Sequence, residues 1–283
     1  MPRPAIDKLV VLARGMGTRM RRDDAAATLD GRQAAVADAG VKAMIPIAEK
    51  TVAFSDARPF LDYVLSTVAD AGYRRVCLVI GPEQEMIRRY YGSEVITQRL
   101  TFAFAIQPEP KGTADAVAAA ESFAAGDQFV VVNSDNYYPI EALAALREQS
   151  DCAVALFERD AMLAGSNVPQ ERIKRFAVAT IDGRGCLERI IEKPDDATLA
   201  ALPKPLWLSM NCWRFGPSIF EACRAIKPSP RGELELPDAV QFTIQNLGET
   251  YRAATIRAPV LDMTSRADIA PVAAILANSE VRL

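Results

Sequence analysis

The 283-residue sequence contains no histidine. That removes the imidazole from every mechanism: no Ser–His–Asp triad, no His-ligated zinc and no imidazole acid–base pair can be built from this chain. Cysteine is sparse and scattered. The five residues Cys77, Cys152, Cys186, Cys212 and Cys223 form no CxxC pair, so neither a zinc ribbon nor a disulfide framework is expected, and free thiols in a reducing compartment fit best. No apolar run approaches the roughly 18 residues of a membrane span. The apolar stretch 9–13 (LVVLA), bounded by Lys8 and Arg14, is too short for the core of a secretory signal. A basic excess is missing too: 33 Lys plus Arg against 36 Asp plus Glu leave a net charge of −3, unlike a nucleic-acid binder. The expectation is a cytoplasmic protein with no nucleic-acid and no membrane partner. Its chemistry has to run on carboxylates, lysine, arginine and amides, with or without a metal ion.

What is there is core-forming material in a regular rhythm. Half the residues are hydrophobic and 24% are charged, enough for a large buried core without staples. Segment 8–13 (KLVVLA) is a short, continuous apolar run, the pattern of a strand covered on both faces. Segment 59–72 (PFLDYVLSTVADAG) has helical apolar spacing, with Pro at its start and Gly at its end. Strand-like segments recur at 75–80, 100–106, 128–133 and 152–157. Helix-like segments at 82–91, 113–124 and 140–149 lie between them. This β-α-β alternation predicts a three-layer α/β/α fold, Rossmann-like, with a mostly parallel mixed sheet. Beyond residue 157 the rhythm changes. Segments 176–181 and 186–192 flank the turn DGRG and read as a hairpin. A strand at 206–215, helices at 218–226 and 236–247, a strand at 250–257 and an amphipathic helix from Arg266 follow. Residues 21–40 read as a polar loop holding a short helix. No linker divides the chain, so a single domain is expected over 1–283: one lobe to about residue 135, a smaller β-rich lobe over about 136–265, and a terminal helix.

Directly after the first strand the chain reads Arg14-Gly15-Met16-Gly17-Thr18-Arg19-Met20. Two glycines let backbone N–H groups approach a ligand, and those groups with Arg19 suit phosphate oxygens. A tight turn with surface arginines fits the same letters. The dinucleotide fingerprint is not spelled, because Met20 stands where its third glycine belongs, and no GxxxxGK[ST] string occurs. At the end of segment 128–133, Asn133-Ser134-Asp135-Asn136 suits a turn. It also places a carboxylate at the carboxyl end of a strand, where open α/β sheets bind ligands.

From Leu12 and Ala13 to Met20 the string resembles the L-A-(A/G)-G-x-G-T-R-(L/M) signature of sugar-1-phosphate nucleotidyltransferases. Further blocks follow in that family's order. Residues 41–47 (VKAMIPI) are similar to the P-K-x-(M/L)-x-P-(I/V) block, and 58–63 (RPFLDY) to the next. Gln107 with 112–117 (GTADAV) resembles the Q…GTAxA(V/L) block, and 131–135 (VVNSD) the strand that ends in a metal-binding Asp. Residues 191–194 (IEKP), 232–239 (GELELPDA) and 260–264 (VLDMT) resemble three later blocks. Together they span nearly the whole chain, which makes the resemblance specific although each block is short.

The resemblance implies a GT-A-like nucleotidyltransferase fold whose smaller lobe binds sugar. It implies that Leu12, Ala13, Gly15, Gly17, Thr18, Arg19, Gln107, Gly112 and Thr113 bind the nucleotide, Gln107 reading the base. Arg19, Lys42 and Asp135 would be the catalytic residues. Asp135 and Asp262 would hold Mg²⁺, although Asp262 also suits an N-cap for the last helix. Glu192, Lys193 and Asn211 would bind the sugar phosphate. The implied partners are a nucleoside triphosphate, UTP or dTTP favoured over ATP, and a sugar 1-phosphate, glucose 1-phosphate first; a homo-oligomer is compatible with this. No hexapeptide repeats follow, so no β-helical extension is expected. Trp207 and Trp213 read as core residues more readily than as sugar platforms.

Three positions depart from the family's pattern. Arg14 replaces a small residue and would either add a phosphate contact or obstruct the base. Ser134 replaces the Gly before the metal-binding Asp. Cys212 stands where the sugar-contacting segment usually has Gly. The rival expectations are a non-catalytic relative that senses nucleotide or sugar phosphate, favoured by Arg14, and a glycosyltransferase, disfavoured because Asp135-Asn136-Tyr137 offers one acid where a D-x-D pair is expected.

Overall fold

The structure, a computed structural model, describes residues 6–22, 24, 27–47 and 57–283. Nine strands form one sheet: β1 Lys8–Leu12, β2 Arg75–Ile80, β3 Thr101–Ile106, β4 Phe129–Asn133, β5 Ala153–Glu158, β6 Val178–Ile181, β7 Leu187–Ile191, β8 Trp207–Phe215 and β9 Arg252–Ile256. β3, β2, β1 and β4 lie side by side, all parallel. The near-continuous apolar runs have a plain cause. Leu9 and Val11 of β1 enter one core cluster while Val10 and Leu12 enter another, and Val130 and Val132 of β4 alternate with Phe129 and Val131 in the same way. Both faces of these strands are covered, so both sets of side chains must be apolar. Helices Phe60–Asp70 (α1), Ile140–Glu148 (α2) and Ile269–Leu276 (α3) bury their apolar sides in the first cluster; Thr113–Ala119 (α4), Ser218–Ala225 (α5) and Leu236–Asn246 (α6) bury theirs in the second. This is the expected α/β/α arrangement.

One strand departs from the sequence rhythm. Segment 152–157 is expected to extend the parallel array. Instead β8, from far later in the chain, lies between β4 and β5 and is antiparallel to both. Periodicity predicts that a strand is buried but not which neighbour it takes. β8 is held there by Arg214, only 2% exposed, whose guanidinium donates to the Leu146 and Arg147 carbonyls at the end of α2 and to Gln128 Oε1 at 2.6 Å. Trp213 and Phe215 stack at 5.7 Å and meet Tyr251 edge-on. Trp213 is therefore core, as expected. Along β8 the pairing with β5 jumps from Ser209–Leu156 to Trp213–Val154, so the intervening residues bulge out. Asn211 sits in that bulge with φ +54°.

The hairpin expected near residues 176–192 is present as β6–β7. Within 21–40 the structure shows a helix, Gly31–Ala39, opened by a capping box in which Asp30 accepts from the Arg32 and Gln33 backbone N–H groups. Positions 23, 25 and 26 of that loop, like residues 1–5 at the start, lie outside the described residues. No helix among the described residues is long and apolar enough to cross a membrane.

Candidate active site

Strand register assembles the site. Leu12 pairs with Asn133 on one side and Val79 on the other. The Ser134 N–H donates to Leu12 O, Ala13 N–H to Val79 O and Gln107 N–H to Ile80 O. Four parallel strands thus end together, and the glycine loop, Gln84, Gln107 and Asp135 all emerge at their carboxyl edge, where β-α turns leave room for a ligand. Gln84 ties two of these ends: its amide donates to Ala13 O and accepts from Gly81 N–H. The resulting cleft of about 290 Å³ is lined by nine of the residues picked from the sequence: Leu12, Ala13, Gly15, Lys42, Gln107, Gly112, Thr113, Asp135 and Asn211.

The two glycines of the loop do different jobs. A Cβ on Gly15 would meet nothing within 4 Å, so its backbone faces open space. Gly17 has φ +60°, and a Cβ there would lie 2.0 Å from Gly40 O; it is a packing requirement beneath the loop. Thr18 and Arg19 are exposed beyond it and do not line the cleft, and the Arg19 guanidinium has no partner among the described residues. Gly112, at φ +123°, is fixed by a similar close approach, 2.4 Å from an added Cβ to Leu234 O. Ala114 N–H donates to that same carbonyl, and the Thr113 hydroxyl accepts from Leu236 N–H. The Thr113 hydroxyl therefore caps α6, and the residue also lines the cleft. Gln107 is 3% exposed; its amide nitrogen donates to Gly112 O at 3.1 Å and to the Asp115 carboxylate on α4 at 2.7 Å.

The charged centre lies at the other end. Lys42, on the single turn Lys42–Met44, places Nζ 2.9 Å from Asp135 Oδ2. A two-residue ribbon, Asn136–Tyr137 against Leu261–Asp262, brings the second carboxylate alongside, and Met263 N–H donates to Asp135 O. Asp262 does not cap the last helix; a capping box of Ser265 and Asp268 opens the single turn Arg266–Asp268 that leads into it. Burial first, and then repulsion from Asp135, push the Asp262 carboxyl above its ordinary value. It accepts from Asn136 Nδ2 at 3.2 Å and pairs with Arg172 at 3.3 Å. Two hard oxygen donors held close enough to repel each other suit a divalent cation that completes its shell with phosphate and water. No cluster of three or more His, Cys, Asp or Glu side chains capable of holding a metal occurs among the described residues, so a closed protein cage is not what this centre offers.

Glu192 and Lys193, just past β7, are exposed and do not line the cleft. Partial burial of its carboxyl and the nearby Glu235 raise the pKa of Glu192, and Arg231 opposes them. Lys193 has a left-handed backbone, φ +44°, the kind of local strain that persists only where surrounding structure enforces it. The left-handed residue of the β8 bulge is Asn211, while Cys212, fully buried, points into the core. The missing glycine at Cys212 is thus no obstacle to this backbone.

Sequence reasoning missed Gln84, Asn136, Asn167 and Arg172. Asn167 receives the Asp262 N–H and donates to its carbonyl, both at 2.8 Å. Arg172 also pairs with Asp268 at 3.0 Å. Neither lies in a segment with periodic signal. Gln84 had one: a polar residue just past a buried strand.

The profile of the nucleotidyl transferase family matches residues 45–257. The uridylyltransferase AglF of Haloferax volcanii, a UTP–glucose-1-phosphate enzyme, is 26% identical over 90% of this chain and 90% of its own length. The low-salt glycan biosynthesis nucleotidyltransferase Agl11 of the same organism is 28% identical over 84% of this chain, and a glucose-1-phosphate thymidylyltransferase of Streptomyces griseus 30% over 88%. The chain spans only 57% and 60% of the length of these last two. A solved UDP-glucose pyrophosphorylase in complex with UDP-glucose superposes with a TM-score of 0.71 over 97% of this chain and 100% of its own, at 18% identity. That likeness shows a shared fold.

Proposed function

This chain belongs to the nucleotidyl transferase family, and from that premise we propose that it transfers a nucleotidyl group from UTP or dTTP to a sugar 1-phosphate, glucose 1-phosphate first. The products are a nucleoside-diphosphate sugar and pyrophosphate. A phosphate oxygen of the sugar attacks the α-phosphorus in line as pyrophosphate leaves. The attacking phosphate is already deprotonated near neutral pH, so no general base is needed and a histidine-free protein lacks nothing. The work is positioning and charge stabilisation.

The observation that carries this reading is the Lys42–Asp135 pair, 2.9 Å apart, beside Asp262 at the mouth of the glycine loop. Lys42 would neutralise charge at the α-phosphate, and the open Gly15 backbone would approach the triphosphate. Arg19, unpartnered at the loop's outer edge, is free to fold onto the β- and γ-phosphates with its fork of donors. Gln107 would hold the base. Asn211 would meet the sugar phosphate inside the cleft, and Glu192 and Lys193, which do not line it, would join from the end of β7. Asp135 and Asp262 would hold Mg²⁺, which when bound draws charge from phosphate oxygens as the bond to pyrophosphate breaks. Asn136 and Arg172 orient Asp262 for that role.

Pyrophosphate release, measured with Mg²⁺ across five nucleoside triphosphates and a panel of sugar 1-phosphates, tests the proposal. Sugar-dependent release is expected, and Asp135→Ala should lower it by at least about 10²–10³-fold with an unchanged circular dichroism spectrum. Nucleotide binding with no release in any cell of the grid would replace the enzyme by a sensing protein of the same fold.

A further inference from the structure

Arg14 has no part in the reaction as described, yet it is the most conspicuous charged side chain of the cleft. Its side chain is only 7% exposed. Two of its nitrogens, Nε and Nη1, meet no acceptor. The third, Nη2, donates to Pro108 O at 3.0 Å and, over a longer 3.4 Å, to Glu83 Oε2. The Glu83 side chain is 61% exposed, so it is a loose, solvent-screened tether. A shut-in guanidinium with idle donors is costly unless something else accepts from it.

Its neighbours fix which end of the cleft it serves. Pro108 follows Gln107 directly, and a Cβ on Gly81, at the end of β2, would lie 2.7 Å from Arg14 Nε. Arg14 is therefore grouped with Gln107, and none of its bonds reaches the Lys42–Asp135 pair. The orientation of Gln107 is settled chemically. Gly112 O and the Asp115 carboxylate are acceptors, so both receive from the amide NH₂, and Oε1, on a residue that lines the cleft, remains as an acceptor. This end thus holds one neutral acceptor beside cationic donors that are enclosed and unused.

We propose that Arg14 selects the base, resting on the nucleotidyl-transfer reading above. Uracil and thymine carry a ring N–H flanked by carbonyls. The N–H donates to Gln107 Oε1 while a carbonyl accepts from Arg14, which leaves Glu83 for it. Cytosine and adenine carry an unprotonated ring nitrogen beside an amino group. They would set a lone pair against Gln107 Oε1 and N–H against the guanidinium, two mismatches of the kind that reject an analogue strongly. Arg14 is then neither a phosphate clamp nor an obstruction.

Equilibrium binding of UTP, dTTP, CTP, ATP and GTP to the intact protein, to Arg14→Met and to Arg14→Lys tests this, together with 2-thio-UTP and 4-thio-UTP as probes of the carbonyls. Methionine keeps an unbranched stem as far as the Nε position and removes the donors. The wild type should bind UTP at least about tenfold more tightly than CTP, and Arg14→Met should shrink that ratio below about threefold by weakening UTP. One thio analogue should bind the wild type several-fold more weakly than UTP, and Arg14→Met should not distinguish the two. A folded Arg14→Met that keeps the UTP:CTP ratio, or that binds every triphosphate more tightly, overturns the proposal, as does a wild-type preference for CTP or ATP. If the methionine variant does not fold, the thio analogues on the wild type and on Arg14→Lys decide. A wild type that binds no triphosphate sinks the nucleotidyl-transfer reading itself; tight binding indifferent to Arg14 sinks only this inference.

Discussion

Gly15 and Gly17 occupy one short loop and look equivalent as letters, but their surroundings divide them. Gly17 is pressed against the Gly40 backbone with φ +60°, so Gly17→Ala should cost about 1–3 kcal/mol of stability, read as a lower urea midpoint. Gly15 has open space where its Cβ would go. Gly15→Ala should fold normally and bind triphosphate more weakly, because a methyl group would stand where phosphate approaches the backbone. Equal stability loss in both variants would show that the loop makes no such distinction. The same contrast separates Thr113, whose hydroxyl caps α6, from Gln107, whose carbonyl oxygen is left for a ligand. Both were picked from one block of sequence; only hydrogen-bond partners tell them apart.

At the scale of the element, β8 is the decisive strand. It inserts between β4 and β5, supplies the aromatic cluster of Trp213 and Phe215, and bulges to place Asn211 at the cleft. Its anchor is the buried Arg214. Arg214→Ala would strand the Leu146 and Arg147 carbonyls and Gln128 without their donor. A loss of roughly 3 kcal/mol is expected, measured by chemical denaturation, with the triphosphate site weakened less than the sugar-phosphate response because Asn211 shifts with the strand. An unchanged midpoint would show that the aromatic packing alone holds β8. The ribbon of Asn136–Tyr137 with Leu261–Asp262 plays a comparable part for the two carboxylates. Tyr138, one residue beyond, donates to Met210 O at 2.6 Å and so joins that ribbon to the bulge.

For the whole molecule, stability should carry a pH signature from a group far from the cleft. Asp62 on α1 is fully buried and accepts from the Tyr90 and Tyr91 hydroxyls at 2.9 and 2.7 Å and from Arg58 at 3.3 Å. Burial outweighs these bonds and holds its carboxyl above the ordinary value. A carboxyl raised on folding favours the folded state while protonated. Its contribution is complete below the unfolded value near 4 and is lost as pH rises through the folded value. Asp62→Asn, whose Oδ1 can accept from Tyr90 and Arg58 while its Nδ2 donates to the Tyr91 oxygen, should remove that dependence. Denaturation curves from pH 4 to 7 should show the variant gaining on the wild type as pH rises; parallel curves would mean that Asp62 titrates normally.

The sequence by itself determined the class of the fold and most of the cleft. Buried strands need apolar residues on both faces, and the glycine loop, Gln107, Gly112 and Asp135 all follow local signals at strand ends, which a parallel sheet must gather at one edge. Local pattern also supplied the resemblance, since its blocks are the turns that follow those strands. Pairing between distant segments was decided only in three dimensions: β8 wedged beside β4, Asp262 brought to Asp135 by a two-residue ribbon, Arg172 and Asn167 enlisted around it, and Arg14 buried with idle donors next to Gln107. Such contacts depend on which surfaces fit and which polar groups remain to be satisfied once the core has formed. Neither quantity is written in the spacing of residues along the chain.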